Sequence, residues 1–208
     1  VVGESPDANF RIYAFATNGD GAGIYSLGVL PGRVIEQPAS TAQAINDAGV
    51  IVGNIGNGSD AFLAVPGQPL SSLRTLIGGA SLGVIRAWGI NAQGRVTGQA
   101  SVSGYFHAFI TGANGSGFTD IGTFPNPISG NETFGYGVNA SGQVVGGATG
   151  FCTKGGVDGY SCGSFLTRAD GSGLESLGVL GAETPFARSG SLQAKALAIN
   201  DNGLVAAD

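Results

Sequence analysis

The chain has 208 residues, 39 of them glycine, and charged residues make up only 11% of it. Hydrophobic residues at 42% exclude an intrinsically disordered chain, and the absence of any apolar run of about 18 residues excludes a membrane-spanning helix. The net charge of −5, with nine scattered lysines and arginines, argues against a nucleic-acid-binding surface.

One segment recurs along the chain. Residues 1–3, VVG, match its end, and the full copies are AINDAGVIVG (44–53), GINAQGRVTG (89–98), GVNASGQVVG (137–146) and AINDNGLVAA (198–207). Repeats of this size determine the fold. We therefore expect a single repeat domain over 1–208, with periods of approximately 4–53, 54–98, 99–146 and 147–207.

Two shorter segments recur in every period. The first carries an Ala-Phe or Ser-Phe pair: YAFAT (13–17), DAFLA (60–64), HAFIT (107–111) and GSFLT (163–167). The second ends in glycine: YSLG (25–28), RTLIG (74–78), TDIG (119–122) and ESLG (175–178). Alternation and β-branched or aromatic content predict a strand at each segment, so one period reads as four short strands.

The long segment contains an asparagine three residues before a glycine in every copy. An asparagine side chain accepts a hydrogen bond from a backbone N–H two residues on, and glycine supplies the positive φ that closes a hairpin. We expect these residues to be structural and to bind nothing: Asn46, Gly49, Asn91, Gly94, Asn139, Gly142, Asn200 and Gly203.

A second connection also has a nearly constant length and is rich in Asn, Asp and Gly: NGDGAG (18–23), GANGSG (112–117) and ADGSG (169–173). This composition is typical of hairpin turns. The repeated oxygen-bearing side chains leave calcium binding open as an alternative, although the spacing is not that of an EF-hand loop.

The first strand of each period has small residues at alternate positions, as at Ala42 and Ala44 or Gly135 and Gly137. Alternate residues share one face of a strand, and a bare face suits the innermost strand of a propeller blade. The sequence thus predicts an all-β, propeller-like array of four four-stranded blades, in a closed ring or an incomplete arc. A β-helix and a sandwich are the weaker alternatives.

The remaining connections vary in length, and binding residues often lie on variable loops held by a rigid scaffold. In up-and-down blades the constant turns share one end of the blade and the variable loops share the other. The candidate partner-binding residues are Arg86, Asn131, Glu132, Lys154, Asp158 and Glu183, together with Asp7, Arg33, Glu36 and Arg188.

The two cysteines, Cys152 and Cys162, flank a glycine-rich stretch in the longest variable loop, 150–165. A disulfide between them is expected in an oxidising compartment. Closing a loop of this length contributes about 2–3 kcal/mol in the chain-entropy treatment.

Taken together, INxxGxVVG, HAF and LxxLG resemble the HAF repeat family of probable extracellular bacterial proteins, with HAFIT (107–111) the one literal copy of the triplet. The resemblance covers nearly the whole chain. It implies export and a β-rich repeat fold, and it brings no catalytic, cofactor-binding or metal-binding residues.

The function expected from these features is that of a secreted or cell-surface, non-catalytic interaction or structural module. Its partner would be a protein, a glycan or further copies of itself, and no cofactor is expected. Two alternatives remain open: a propeller-type extracellular hydrolase or lyase, and a calcium-dependent glycan-binding propeller.

Overall fold

The computed structural model describes residues 1–21, 23–31, 40–56, 58–124, 132–154, 157–178 and 195–208, without side chains at 150–154, 157–162 and 178. The described chain is all-β and consists of antiparallel sheets, which confirms the all-β part of the predicted fold. In that part of the chain there are three four-stranded sheets, one three-stranded sheet and one two-stranded sheet.

The strands follow the chain order, and each pairs with its sequence neighbour. Sheet A contains β1 (Val2–Pro6), β2 (Ile12–Thr17) and β3 (Ile24–Ser26). Sheet B contains β4 (Ser40–Ile45), β5 (Ile51–Ile55), β6 (Asp60–Ala64) and β7 (Ser71–Ser72), followed by helix α1 (Leu73–Leu76). Sheet C contains β8 (Ile85–Ile90), β9 (Val96–Val102), β10 (Tyr105–Ile110) and β11 (Thr119–Gly122).

Sheet D contains β12 (Thr133–Val138), β13 (Val144–Lys154), β14 (Val157–Leu166) and β15 (Glu175–Gly178). Sheet E contains β16 (Ala196–Ile199) and β17 (Val205–Ala207). Each sheet except A begins with the strand that carries the alternating small residues. Each long repeated segment therefore forms the first hairpin of a sheet.

The glycine that ends the long segment lies directly across from the phenylalanine of the AF segment. The register pairs Gly3 with Phe15, Gly53 with Phe62, Gly98 with Phe109 and Gly146 with Phe165. Paired residues on neighbouring strands share a face of the sheet, so the ring covers the bare glycine backbone. The recurrence of both residues thus follows from one packing contact.

The chain divides into two compact units, Val1–Val96 with Thr111–Phe118, and Thr97–Ile110 with Thr119–Asp208. In the first unit, β4 contacts β1 and β2, and one core cluster combines Ala14 and Ala16 with Ile51 and Phe62. A sheet in this unit therefore buries one face against its sequence neighbour. The single repeat domain over 1–208 stays a prediction.

The second unit has the same kind of core. There β10 contacts β12, and a second cluster combines Ala108 and Ile110 with Val144 and Phe165. In both units, small or aliphatic residues of one sheet meet the phenylalanine of the following sheet.

The segment RTLIG (74–78) is not a strand, contrary to the sequence-based prediction. Sheet B ends its fourth strand at Ser72, and Leu73–Leu76 form a helical turn with Leu73 fully buried. Arg74 fixes this turn, because its guanidinium donates to the carbonyl oxygens of Ser59, Gly79, Leu82 and Gly83 at 2.5–3.1 Å. These non-local bonds replace the strand pairing that the local pattern suggested.

The longest variable loop, 150–165, is largely an extended hairpin rather than a loop. Strands β13 and β14 continue to Lys154 and from Val157, and Cys152 pairs with Tyr160 in the backbone register. The insertion therefore lengthens two strands, because extending an antiparallel ladder satisfies the backbone hydrogen bonds of the added residues.

Candidate functional site

The recurring asparagines each close the first hairpin of a sheet. The Oδ1 atom of Asn46 accepts hydrogen bonds from the backbone N–H groups of Ala48, at 3.1 Å, and Val50, at 2.9 Å. The N–H of Gly49 donates to the carbonyl of Asn46, and Gly49 has a φ of +77°. Equivalent turns occur at Asn91 and Asn200, and Asn139 accepts from the hydroxyl of Ser141 and the N–H of Gln143. Gly94, Gly142 and Gly203 have positive φ.

The same asparagines link one repeat to the next. In the first unit, Nδ2 of Asn46 donates to the backbone carbonyl of Asn91 at 3.0 Å. In the second unit, Nδ2 of Asn139 donates to the carbonyl of Asn200 at 3.3 Å. The oxygen of the amide thus organises its own turn, while the nitrogen reaches the equivalent turn of the following sheet.

The two constant connections of sheet C lie together. In sheet C, the N–H groups of Asn114 and Gly115 donate to the carbonyls of Gln93 and Gly94 at 3.2 and 2.9 Å. A Cβ on Gly94 would stand 3.0 Å from the backbone nitrogen of Asn114. In sheet C the two turns are therefore in direct backbone contact.

Asp170, in the second constant connection of sheet D, also acts within its own turn. Oδ1 of Asp170 accepts from the N–H and the hydroxyl of Ser172 at 2.9 and 2.6 Å. The hydroxyl bond, followed by the N–H bond, lowers the pKa of Asp170. Among the described residues, no group of three or more His, Cys, Asp or Glu side chains could hold a metal ion.

A hydroxyl at the start of one sheet caps an amide in the preceding sheet. In the first unit, Oγ of Ser40 accepts from the N–H of Ala14 at 2.8 Å. In the second unit, Oγ1 of Thr133 accepts from the N–H of Ala108, also at 2.8 Å. Both amides belong to the residue before the recurring phenylalanine, so this bond is a second link between consecutive repeats.

Sheet B solves the same problem differently. Ile85 stands where Ser40 and Thr133 stand in the other repeats, and it has no hydroxyl to offer. The carboxylate of Asp60 accepts from the N–H of Ala61 at 2.8 Å and from the hydroxyl of Ser72 at 2.9 Å. Asp60 is 1% exposed, and these bonds give its buried oxygens partners.

His107, the one histidine of the chain, occupies the position of Asp60 in sheet C. Its Nδ1 lies 3.0 Å from both carboxylate oxygens of Asp120 on the neighbouring strand β11. Oδ1 of Asp120 also accepts from the N–H of Gly122 at 2.8 Å. His107 is therefore a cross-strand residue that joins the third and fourth strands of its sheet.

The candidate partner-binding residues do not form one cluster in the described chain. Arg86 lies within strand β8 rather than in a loop, because the strand begins one residue earlier, at Ile85. Its guanidinium packs over Gly58. Glu132 is half-buried just before β12, and its backbone pairs with Thr149. Asp7 closes a hairpin turn. Asn131, Glu183, Arg33, Glu36 and Arg188 lie outside the described residues, as do the side chains of Lys154 and Asp158.

The proposed disulfide involves side chains outside the described residues. Cys152 and Cys162 lie on the paired strands β13 and β14, and the residue directly opposite Cys152 is Tyr160. The disulfide stays a prediction.

Phe10 was not among the residues predicted from the sequence. Residues 7–11 form the same turn as the asparagine hairpins: Asp7 Oδ1 accepts from the N–H groups of Asn9 and Arg11 at 2.8 and 2.9 Å. Phe10 then occupies the glycine position, with a φ of +60°, and is 90% exposed. A bulky residue in this region is strained. The sequence signal was Asp7, which stands three residues before Phe10 as each turn asparagine stands three residues before its glycine.

The environment of Tyr136 favours the neutral form of its phenol. Burial, and then the negative charge of Asp208, raise the pKa of its phenol. Tyr136 lies in β12 between Gly135 and Gly137, on the first strand of sheet D.

No protein-family model matches the chain, and no curated protein matches it. In the described residues, no helical segment has the length and apolar character needed to span a membrane.

Proposed function

We propose that the chain is a secreted or cell-surface, non-catalytic interaction and structural module. The observation that supports this most directly is the use of the recurring asparagines. In Asn46 and Asn139, the amide oxygen accepts a hydrogen bond within its own turn, and the amide nitrogen donates one to the next repeat. The residues that define the repeat are thereby occupied in holding the scaffold together.

A partner would then contact the positions that do not recur. The hairpins between the second and third strands differ from sheet to sheet: Asp7–Arg11 in sheet A, the two-residue turn Ser103–Gly104 in sheet C, and the extended hairpin of sheet D. Diversity on a rigid scaffold is typical of binding surfaces. The resemblance to HAF repeats supports export.

We further propose that the sheets are blades of a propeller-like array, in a closed ring or an incomplete arc. The close fit of the first strands supports this arrangement. A Cβ on Gly135 would stand 3.1 Å from Val144 and would overlap Oγ1 of Thr97, and one on Gly137 would stand 3.1 Å from Cα of Ala198. Negative-stain images should show a ring or an arc, and an extended flat stack would contradict the proposal.

The function is tested by binding to bacterial cell envelopes and to secreted polysaccharide. The test variant combines Glu132→Ala, Lys154→Ala and Asp158→Ala at the variable end of the sheets. The control combines Asp20→Ala, Asp170→Ala and Ser172→Ala in the constant turns. We expect the test variant to lose about tenfold in affinity, the loss typical of removing interface side chains, and the control to bind as the parent does. Equal loss in both would overturn the assignment.

A further inference from the structure

Sheet A differs from the other sheets in the exposure of its recurring phenylalanine. Phe62, Phe109 and Phe165 are each 0% exposed, whereas Phe15 is only half-buried. The difference does not arise inside the sheet, because Phe15 lies across from Gly3 just as the others lie across from their glycines. It arises from what covers the ring.

Within each unit, a preceding sheet covers the phenylalanine. Phe62 joins one core cluster with Ala14 and Ala16 of sheet A, and Phe165 joins another with Ala108 and Ile110 of sheet C. The face that carries the phenylalanine therefore packs against the preceding sheet, on the face of that sheet that does not carry its own phenylalanine. We call it the Phe face.

The strand pairs on the Phe face of sheet A contain no charged residue. The strand register places Ser5 and Tyr13, Phe15 and Ser26, and Thr17 and Ile24 on it. A pocket of about 150 Å³ opens there, lined in part by Tyr13, Phe15 and Ile24 and also by Asp7, and Ile24 is 62% exposed. Exposed apolar surface with few charged residues is typical of the centre of an interface.

Sheet D has the complementary exposed surface. Leu27 of the first unit and Ile121 of the second occupy the same place in the glycine-ending segment, and both pack against the core cluster formed with the next sheet. Leu177 holds that place in sheet D, but it is 46% exposed. Sheet E, which follows, has two strands in the described residues and contacts β12 and β13.

We propose that the Phe face of sheet A receives the Leu177 surface of sheet D from a second copy of this chain, so that copies associate head to tail. This inference rests on the proposed structural role and names its partner. Both halves of the contact reproduce one that the chain makes within each unit, which is why a second copy fits better than an unrelated protein. A head-to-tail contact uses two different patches, so association continues until a ring closes or a filament grows.

The experiment measures the mass of the purified 208-residue chain by analytical ultracentrifugation over a range of concentrations. Ile24→Arg disables the Phe face, and Leu177→Arg disables the other surface. Both positions are exposed, so neither change disturbs a core. Tyr105→Arg, at another exposed hydrophobic residue, is the matched control. Circular dichroism and a denaturant midpoint establish that each variant is folded.

We expect the parent chain and Tyr105→Arg to form oligomers, and each interface variant to associate at least about tenfold more weakly. An equimolar mixture of the two interface variants should form dimers and nothing larger, because each variant retains one working surface. A parent chain that stays monomeric would overturn the inference, and so would variants that do not complement each other. A monomer that still binds envelope material would leave the proposed function standing.

Discussion

Gly53 of β5 lies directly across from Phe62 of β6, and a Cβ on the glycine would stand 2.6 Å from two ring carbons of the phenylalanine. The same Cβ would also overlap the carbonyl oxygen of Thr41 on β4. Phe62 is fully buried, and Thr41 is part of the backbone ladder, so neither neighbour has room to move.

We therefore predict that Gly53→Ala destabilises the fold by about 2 kcal/mol or more, because overpacking a core costs about 1–3 kcal/mol and a backbone atom cannot yield. The measurement is the free energy of unfolding from denaturant titration. Gly19→Ala is the matched control, since nothing lies within 4 Å of a Cβ there. A Gly53→Ala protein as stable as the parent would refute the packing role of the glycine.

The two functions of Asn46 can be separated by substitution. Asn46→Asp retains the oxygen that accepts from Ala48 and Val50 but loses the donor to Asn91, whereas Asn46→Ala loses both. We expect the Asp variant to be destabilised by about 1 kcal/mol and the Ala variant by about 2 kcal/mol. Asn200→Asp is the control, because Nδ2 of Asn200 makes no hydrogen bond among the described residues. Equal losses at both positions would contradict the link between repeats.

Phe10 should be more stable as glycine. Its φ of +60° costs an L-residue about 1–2 kcal/mol, and a side chain that is 90% exposed contributes little burial in return. Allowing for the greater freedom of glycine in the unfolded chain, we expect Phe10→Gly to raise the free energy of unfolding by about 1 kcal/mol. Asn114→Gly, with a φ of +56°, should gain less, because asparagine adopts this region readily. A destabilised Phe10→Gly protein would show that the ring packs in solution.

Tyr136 should make stability fall at alkaline pH. Burial and Asp208 raise the pKa of its phenol above 10.0 in the folded chain. The folded chain therefore holds this proton at a pH where the unfolded chain releases it. The contribution to stability is complete below about pH 10 and is lost as pH rises through the folded pKa.

The measurement is the difference in unfolding free energy between the parent and Tyr136→Phe at several pH values from neutral to alkaline. We expect the difference to shift against the parent as the pH rises. Tyr105→Phe controls for the loss of a phenol at an exposed position. A difference that does not change with pH would refute the environment assigned to Tyr136.

The local chemistry of the chain predicted more of the scaffold than of the candidate site. Asn46 and Gly49 predict a hairpin, because their hydrogen bonds and backbone conformation involve only residues 46–50. The structure has a hairpin there. Arg86 was assigned to a loop from the variable length of its neighbourhood, yet it lies in a strand. The length of a segment does not indicate whether its added residues lengthen the paired strands or form a loop. In sheet D the added residues lengthen β13 and β14.

From the sequence alone followed the all-β class and the hairpins, because strand alternation and Asn-x-x-Gly turns depend on residues close together in the chain. Only the tertiary structure decided that Nδ2 of Asn46 reaches Asn91, that Arg74 holds a helical turn in place of a strand, and that Asp60 replaces the hydroxyl missing at Ile85. These bonds join groups whose partners lie on other turns, strands or sheets. Their formation depends on how the sheets pack, and a local sequence pattern does not predict which distant groups the packing brings together.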